Sequence, residues 1–195
     1  MRPEKKQTRR RRIAQAAHHL FAKHGYNNTT MEMIADSSDV AVGTLYNYAT
    51  SKADLLINII ASRSNEYNND LVTLANNPPK QFHKALKQAI AIYLTSFSFF
   101  NKSIWRDFTI TALVNGLPLF QMIENIDAIF LSQITLLIKY YHPQNLTQHT
   151  ATIMTRNLYS ALLHNIMLYL SIAEMNFDSL RSTIMKQIET MFIFK

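Results

Sequence analysis

Cysteine is absent from this chain of 195 residues, which excludes disulfides, thiolate nucleophiles and cysteine-based metal centres. Glycine and proline are scarce, at three and five residues. So few helix breakers point to a largely helical protein rather than a turn-rich β fold. No apolar run reaches bilayer-spanning length. The uncharged stretch 157–173, between Arg156 and Glu174, carries Asn157, His164 and Asn165 and is read as a buried helix. The start, MRPEKKQTRRRR, is basic, but an amphipathic segment follows it where a secretory leader needs an apolar one. These absences together predict a cytoplasmic protein with no membrane segment. Catalytic signatures are missing too. There is no phosphate-cradling glycine loop and no nucleophile elbow. None of the seven histidines pairs at four-residue spacing, and His18 and His19 are adjacent, so they do not share a helix face. No enzyme activity, metal or cofactor is expected.

Acidic residues are outnumbered, 13 against 20 Lys and Arg, and the imbalance is localised. Residues 1–52 hold nine basic and four acidic side chains, a net of +5, whereas the remaining residues net only +2. A basic end of this kind is the electrostatic footprint of phosphate binding. It also suits a nonspecific DNA coat or an acidic membrane surface, so shape must decide between these.

Periodicity gives the shape. Residues 12–24 read as an amphipathic helix with Ile13, Ala16, Ala17, Leu20 and Phe21 on one face. Gly25 ends it, and Asn27-Asn28 form a polar turn. Thr29 and Glu32 have capping-box spacing and open a short helix over about 30–37. Ser38-Asp39 break that helix, and a second short one follows over roughly 42–48. Ser51 and Asp54 make another capping box, starting a long helix to about Ala75. Asn76-Asn77-Pro78-Pro79 is the clearest punctuation. Beyond it come a helix through Phe82–Phe100, a shorter one over 102–115, a long one from Met122 to Tyr140, an apolar one within 146–173 and a last amphipathic one over 176–194. The fold expected is all-α with about nine helices. Its predicted parts are a basic tail with three helices over 1–52, a connecting helix over 53–75, and a further helical domain over 76–195.

Two short helices after a basic amphipathic one form a helix-turn-helix, whose second helix enters the major groove of double-stranded operator DNA. It presents Ala41, Val42, Gly43, Thr44, Tyr46, Asn47 and Tyr48. Small residues at its start let the backbone approach the bases. Thr44 and the tyrosine hydroxyls are suited to phosphate or base edges, and Asn47 to an adenine edge. Lys52 begins the next helix, where a cation and free amides both favour phosphate. Arg10 and Arg11 are assigned to phosphates, and Thr29 and Thr30 join the DNA-binding set. This constellation favours a sequence-reading surface over a nonspecific coat.

Residues 10–60 resemble the N-terminal domain of the TetR (tetracycline repressor) family. The matching residues are Ile13, Ala16, Ala17, Leu20-Phe21, Gly25-Tyr26, Thr29-Thr30, Ile34-Ala35, Val40, Gly43-Thr44-Leu45-Tyr46, Tyr48, Ser51-Lys52 and Leu55-Leu56. The run VGTLYNYATSKADLL is highly specific for that family. Two positions depart from its pattern. Asp39 stands where the inter-helix turn usually has Gly, and Asp tolerates the left-handed conformation better than most residues. Ala49 stands where an aromatic is usual.

The resemblance implies a homodimer, with 1–52 as its DNA-binding domain and 76–195 as a ligand-binding and dimerisation domain that holds a small-molecule pocket. Tyr93, Phe97, Trp105, Phe108, Met122 and Tyr159 are the large side chains assigned to that pocket. The helix within 146–173 has too much apolar surface for one face. Leu158, Leu162, Ile166 and Tyr169 are assigned to its own domain. Leu163, Met167 and Leu170, with Ile184, Ile188 and Met191 of the final helix, are assigned to the dimer interface. The expected function is a repressor released from a palindromic operator by an apolar or aromatic effector. The alternative is a constitutive dimeric DNA-binding protein with no effector.

Overall fold

The computed structural model of this chain describes residues 3–116, 119–144 and 146–191. Among them are ten α-helices, one short 3-10 turn and no strand. In order the helices are α1 (Pro3–His24), α2 (Met31–Ser37), α3 (Val42–Tyr46), α4 (Lys52–Asn76), α5 (Phe82–Thr95), α6 (Lys102–Val114), α7 (Leu119–Ile126), α8 (Ala128–Tyr141), α9 (Gln148–Ser171) and α10 (Phe177–Met191), with the 3-10 turn at Ser96–Phe99 between α5 and α6. The all-α class is as expected from the sequence.

The chain divides into two compact units, Met1–Arg63 with Phe100–Ile123, and Ser64–Phe99 with Glu124–Lys195. A division at 52 and 75 does not reproduce these boundaries. α4 contributes residues to both units, and α6 belongs with the first three helices. The cause of the latter is local packing. Phe108 of α6 is buried edge-on against Tyr26, with ring centroids 5.8 Å apart, and Tyr26 packs on Phe21 of α1. Ile13, Ala17, Ile34, Leu45, Leu55 and Leu56 complete the core of the first unit.

In the second unit α5 packs on α8 and α10, and α9 packs on α8 and α10. Leu86, Ala89 and Ile90 of α5 meet a core that includes Ile134, Leu137, Leu158, Leu162, Leu180, Ile184 and Ile188. Burial of each such side chain stabilises by about 1.5–3 kcal/mol before entropy is counted.

Local chemistry explains most boundaries. Gly25 adopts φ +81° and its N–H donates to Phe21 O at 2.9 Å, ending α1. Thr30, not Thr29, caps α2: its hydroxyl accepts from Met33 N–H at 3.2 Å. Thr29 is fully buried instead, and its hydroxyl donates to Leu20 O and Gly25 O. At the start of α4, Ser51 Oγ accepts from Asp54 N–H at 3.0 Å. Asp54 Oδ2 reaches back to accept from Thr50 N–H at 2.7 Å.

The segment Met122–Tyr140, expected as one helix, is two. The break falls at Asp127, which has φ −87° and ψ 6°. Asp127 is 4% exposed, and its carboxylate is held by two phenols. The apolar spacing continues through a one-residue interruption, so periodicity alone does not reveal it.

Candidate functional site

The helix-turn-helix is built from α2, residues 38–41 and α3. Ser38 Oγ donates to Ile34 O at 2.7 Å, and Val40 N–H donates to Ala35 O at 3.1 Å, so the turn satisfies its own backbone. Asp39 takes φ +51°, the left-handed conformation anticipated from its residue type. Arg12 braces this corner from α1. Its guanidinium donates to Asp39 Oδ2 at 3.3 Å and to Asp39 O at 3.2 Å.

α3 turns Leu45 inward, and Ala49 just beyond it is also buried. The small side chain of Ala49 therefore fills an interior position. Ala41, Gly43, Tyr46 and Asn47 are exposed, while Val42, Thr44 and Tyr48 are half-buried. A Cβ added to Gly43 would meet nothing within 4 Å, and Gly43 has no positive φ. The chain's own fold therefore imposes no demand for glycine there. Arg10 and Arg11 are exposed on α1. Arg10 lies over the Tyr48 ring at 5.7 Å, which couples one of the basic side chains to the end of α3.

Two members of the expected DNA-binding set face inward. Thr29 is buried as described. Lys52 Nζ donates to three main-chain carbonyls, Tyr26 O at 2.6 Å, Thr29 O at 2.9 Å and Asn27 O at 3.2 Å. It also sits 4.5 Å from the Tyr26 ring centroid. Partial burial draws the Lys52 pKa below its ordinary value. The side chain fastens the start of α4 to the α1–α2 connection. Thr30 remains exposed, with its hydroxyl engaged as the α2 cap.

The six residues assigned to a pocket fall three in each unit. Trp105 and Phe108 lie in the first unit, Trp105 edge-on to Phe100 at 5.8 Å and Phe108 against Tyr26. Met122 is half-buried on α7 and falls within the first unit's residues. Tyr93, Phe97 and Tyr159 lie in the second unit, around a residue the sequence reading did not select, Asp127. Tyr93 donates to Asp127 Oδ2 at 2.7 Å and Tyr159 donates to the same oxygen at 2.8 Å. Phe130 stacks on Tyr93 at 4.3 Å and lies 6.5 Å from Tyr159, and Phe97 meets Tyr93 edge-on at 5.6 Å. Burial pushes the Asp127 carboxyl up to about 6, against the opposing pull of the two phenol hydrogen bonds. Both tyrosines are pushed well above the ordinary phenol range, by burial first and by the carboxylate second. A signal for Asp127 was present. It stands three residues before Phe130 and seven before Ile134, so an acid occupies a position on an otherwise buried row.

Three of the six residues assigned to the dimer interface are buried within the single chain. Ile184 and Ile188 are 1% exposed and Leu170 is 6% exposed within a single chain, because α10 and α9 spend those faces on their own unit. Leu163 and Met167 are half-buried. The side chain of Met191 lies outside the described residues. Ile153, Leu168 and Ile172 are exposed apolar residues along and just beyond α9.

Among the described residues no helix is long and apolar enough to cross a membrane. The sequence profile described as "Bacterial regulatory proteins, tetR family" matches residues 13–59, which span α1 to the first half of α4. The HTH-type transcriptional repressor KstR of Mycobacterium tuberculosis is 44% identical over 57 residues, 29% of this chain and 26% of that protein. Its namesake from Mycolicibacterium smegmatis is 36% identical over 80 residues, 40% of this chain and 39% of that protein. The matched segments thus cover well under half the length of these relatives. The crystal structure of Thermus thermophilus FadR, a TetR-family transcriptional repressor in complex with lauroyl-CoA, superposes with a TM-score of 0.70. That comparison covers 95% of this chain and 96% of the other at 17% identity, a likeness of fold. A tetR-family profile thus matches the helix-turn-helix part of the chain, residues 13–59, and the helical architecture beyond it is shared with the FadR structure as a likeness of fold.

Proposed function

We propose that this protein is a homodimeric repressor that seats α3 in the major groove of a palindromic operator and leaves it when a small molecule binds the second unit. The observation that carries the DNA-reading half is the outward row of α3. Gly43 is small where the fold leaves room, Tyr46 and Asn47 hold exposed polar groups beside the half-buried Thr44, and exposed Arg10 lies over the ring of Tyr48. A helix that approaches base edges needs that combination. The exposed Ile153, Leu168 and Ile172 support a partner subunit over α9. The FadR structure holds lauroyl-CoA in the same architecture, which supports a small-molecule effector for this chain, though not its identity. No catalytic role is proposed.

The test is a footprint on duplexes from the chromosomal region flanking this gene. An inverted repeat should be protected, with half-sites about one helical turn, roughly 34–36 Å, apart. A footprint without dyad symmetry, or a protein that sediments as a monomer at footprinting concentrations, overturns the dimeric reading. A dimer whose operator affinity responds to no small molecule is instead the constitutive DNA-binding protein.

A further inference from the structure

The carboxylate buried in the second unit has an unusual set of partners. Asp127 is 4% exposed, and its hydrogen bonds among the described residues come from two neutral phenols. A buried carboxylate ordinarily offsets its desolvation with a cation. Arg156 is bonded elsewhere, to Glu124 at 3.0 Å, with its side chain two-thirds exposed. Glu124 is a second carboxylate whose charge reaches Tyr159, and among the described residues its ion-pair partner is Arg156. Tyr67 of α4 adds another phenol near Tyr93.

The geometry of the donors is specific. Both phenol protons point at one oxygen, Oδ2. Oδ1 keeps its lone pairs, and each phenol oxygen, having donated its proton, still accepts. Three acceptor atoms thus belong to one hydrogen-bonded cluster, edged by the rings of Tyr93, Phe97, Phe130 and Tyr159. Ring faces attract cations. The same unit buries another acceptor without a donor, Asn68 Oδ1 on α4.

We propose that the Asp127–Tyr93–Tyr159 cluster is the recognition centre for an effector carrying a primary ammonium on an apolar body. An R–NH3+ group has three donors for three acceptors and a charge for the carboxylate, and its apolar remainder lies against Phe97 and Phe130. Carboxylate ligands are repelled by Asp127 and Glu124. Quaternary ammonium ligands supply charge without donors, and alcohols supply a donor without charge. The rings are packed closed on the carboxylate, so binding repacks them. A ligand that selects a repacked state is what shifts a two-state regulator. This proposal deepens the effector half of the proposed function and rests on it for its regulatory meaning.

The experiment is a matched twelve-carbon series: dodecylamine, dodecyltrimethylammonium, 1-dodecanol, dodecanoate and lauroyl-CoA, each below its micelle concentration. Affinity is read by calorimetry on the full-length protein at pH 7.5, and operator release by anisotropy of a labelled duplex. Dodecylamine should bind at least ten-fold more tightly than any other member. Asp127→Asn, which keeps the shape and both phenol partners, should remove that preference while leaving the unliganded protein's operator affinity unchanged. If Asp127→Asn fails to fold, Tyr159→Phe takes its place and should weaken dodecylamine several-fold with little effect on dodecanol. Tighter binding of dodecanoate or lauroyl-CoA, dodecylamine affinity unchanged in these variants, or binding of no member overturns the proposal. The two readings fail separately. Release by lauroyl-CoA alone leaves the effector-responsive repressor standing and removes the amine site. Asp127-dependent amine binding that never weakens the operator leaves the site standing and removes its regulatory role.

Discussion

Gly43 separates what the fold needs from what the DNA needs. Its φ is not positive and the space around its Cβ position is empty, so within α3 it is a helix-weakening residue with no internal justification. Gly43→Ala is expected to stabilise the protein by up to about 1 kcal/mol and to weaken operator binding at least ten-fold, because a methyl group then stands between backbone and bases. Thermal melts and anisotropy titrations on one preparation check both signs. An alanine variant that binds DNA normally would mean that α3 does not approach closely at this position. Lys52 gives the converse case. Its type and place at a helix start suggested a phosphate contact, but Nζ donates to three carbonyls, whose positions only the folded α1–α2 connection fixes. Lys52→Met should lower stability by about 1.5–3 kcal/mol and leave the salt dependence of nonspecific DNA binding unchanged. Arg11→Ala should reduce that slope by about one unit, as loss of one phosphate contact requires. A reduced slope in Lys52→Met would return the lysine to the interface.

Elements were legible in the sequence where one local rule decided them. The glycine stop of α1, the helix-turn-helix spacing and the Ser51–Asp54 start of α4 all follow from neighbours a few residues apart. The cap of α2 was misplaced by one residue because Thr29 and Thr30 are equally good caps in isolation. Burial against Leu20 O decides between them, and that is tertiary information. The α7–α8 break is of the same kind: Asp127 is drawn inward by phenols 34 and 32 residues away. The outward faces of α9 and α10 failed for a related reason. Apolar residues at helical spacing identify a buried face but not which chain buries it, and Ile184 and Ile188 turn out to be buried by their own unit. The Asp127 junction carries a pH signature. Burial pushes the carboxyl up to about 6 in the folded protein, from the ordinary 3.8 of an unperturbed side chain. Below pH about 4 it is protonated in both states. Between about 4 and 6 the folded chain holds a proton that the unfolded chain has lost, so stability falls as pH rises through this window and levels off above it. The fall is about 2–3 kcal/mol. It should show as a pH-dependent difference in unfolding free energy between the wild type and Asp127→Asn across pH 4 to 7.5, since the amide does not titrate. A flat difference would mean an unperturbed carboxyl.

At the scale of the whole molecule, the proposed regulation reduces to a coupling free energy between two ligands, and linkage constrains its form. If an effector weakens operator binding by some factor, the operator weakens the effector by the same factor. Couplings of this kind run at about 1–3 kcal/mol, or about 5–150-fold. α4 and α7 both cross from one unit to the other, and α4, whose start adjoins α3, is the crossing tested as carrier. The double substitution Ser62→Gly and Arg63→Gly, at exposed positions where the units meet along the chain, raises the cost of a continuous helix by about 2 kcal/mol. Neither position belongs to α3 or to the Asp127–Tyr93–Tyr159 cluster. For the wild type, dodecylamine should bind more weakly to the operator complex than to free protein, by the factor with which it weakens the operator. For the glycine variant, dodecylamine and operator affinities measured one at a time should stay within about two-fold of wild type, which corresponds to about 0.4 kcal/mol, while the factor linking them shrinks toward one. Full coupling in the glycine variant would place the carrier outside α4. A wild-type dodecylamine affinity that is the same with and without operator would show a ligand that binds this protein without regulating it.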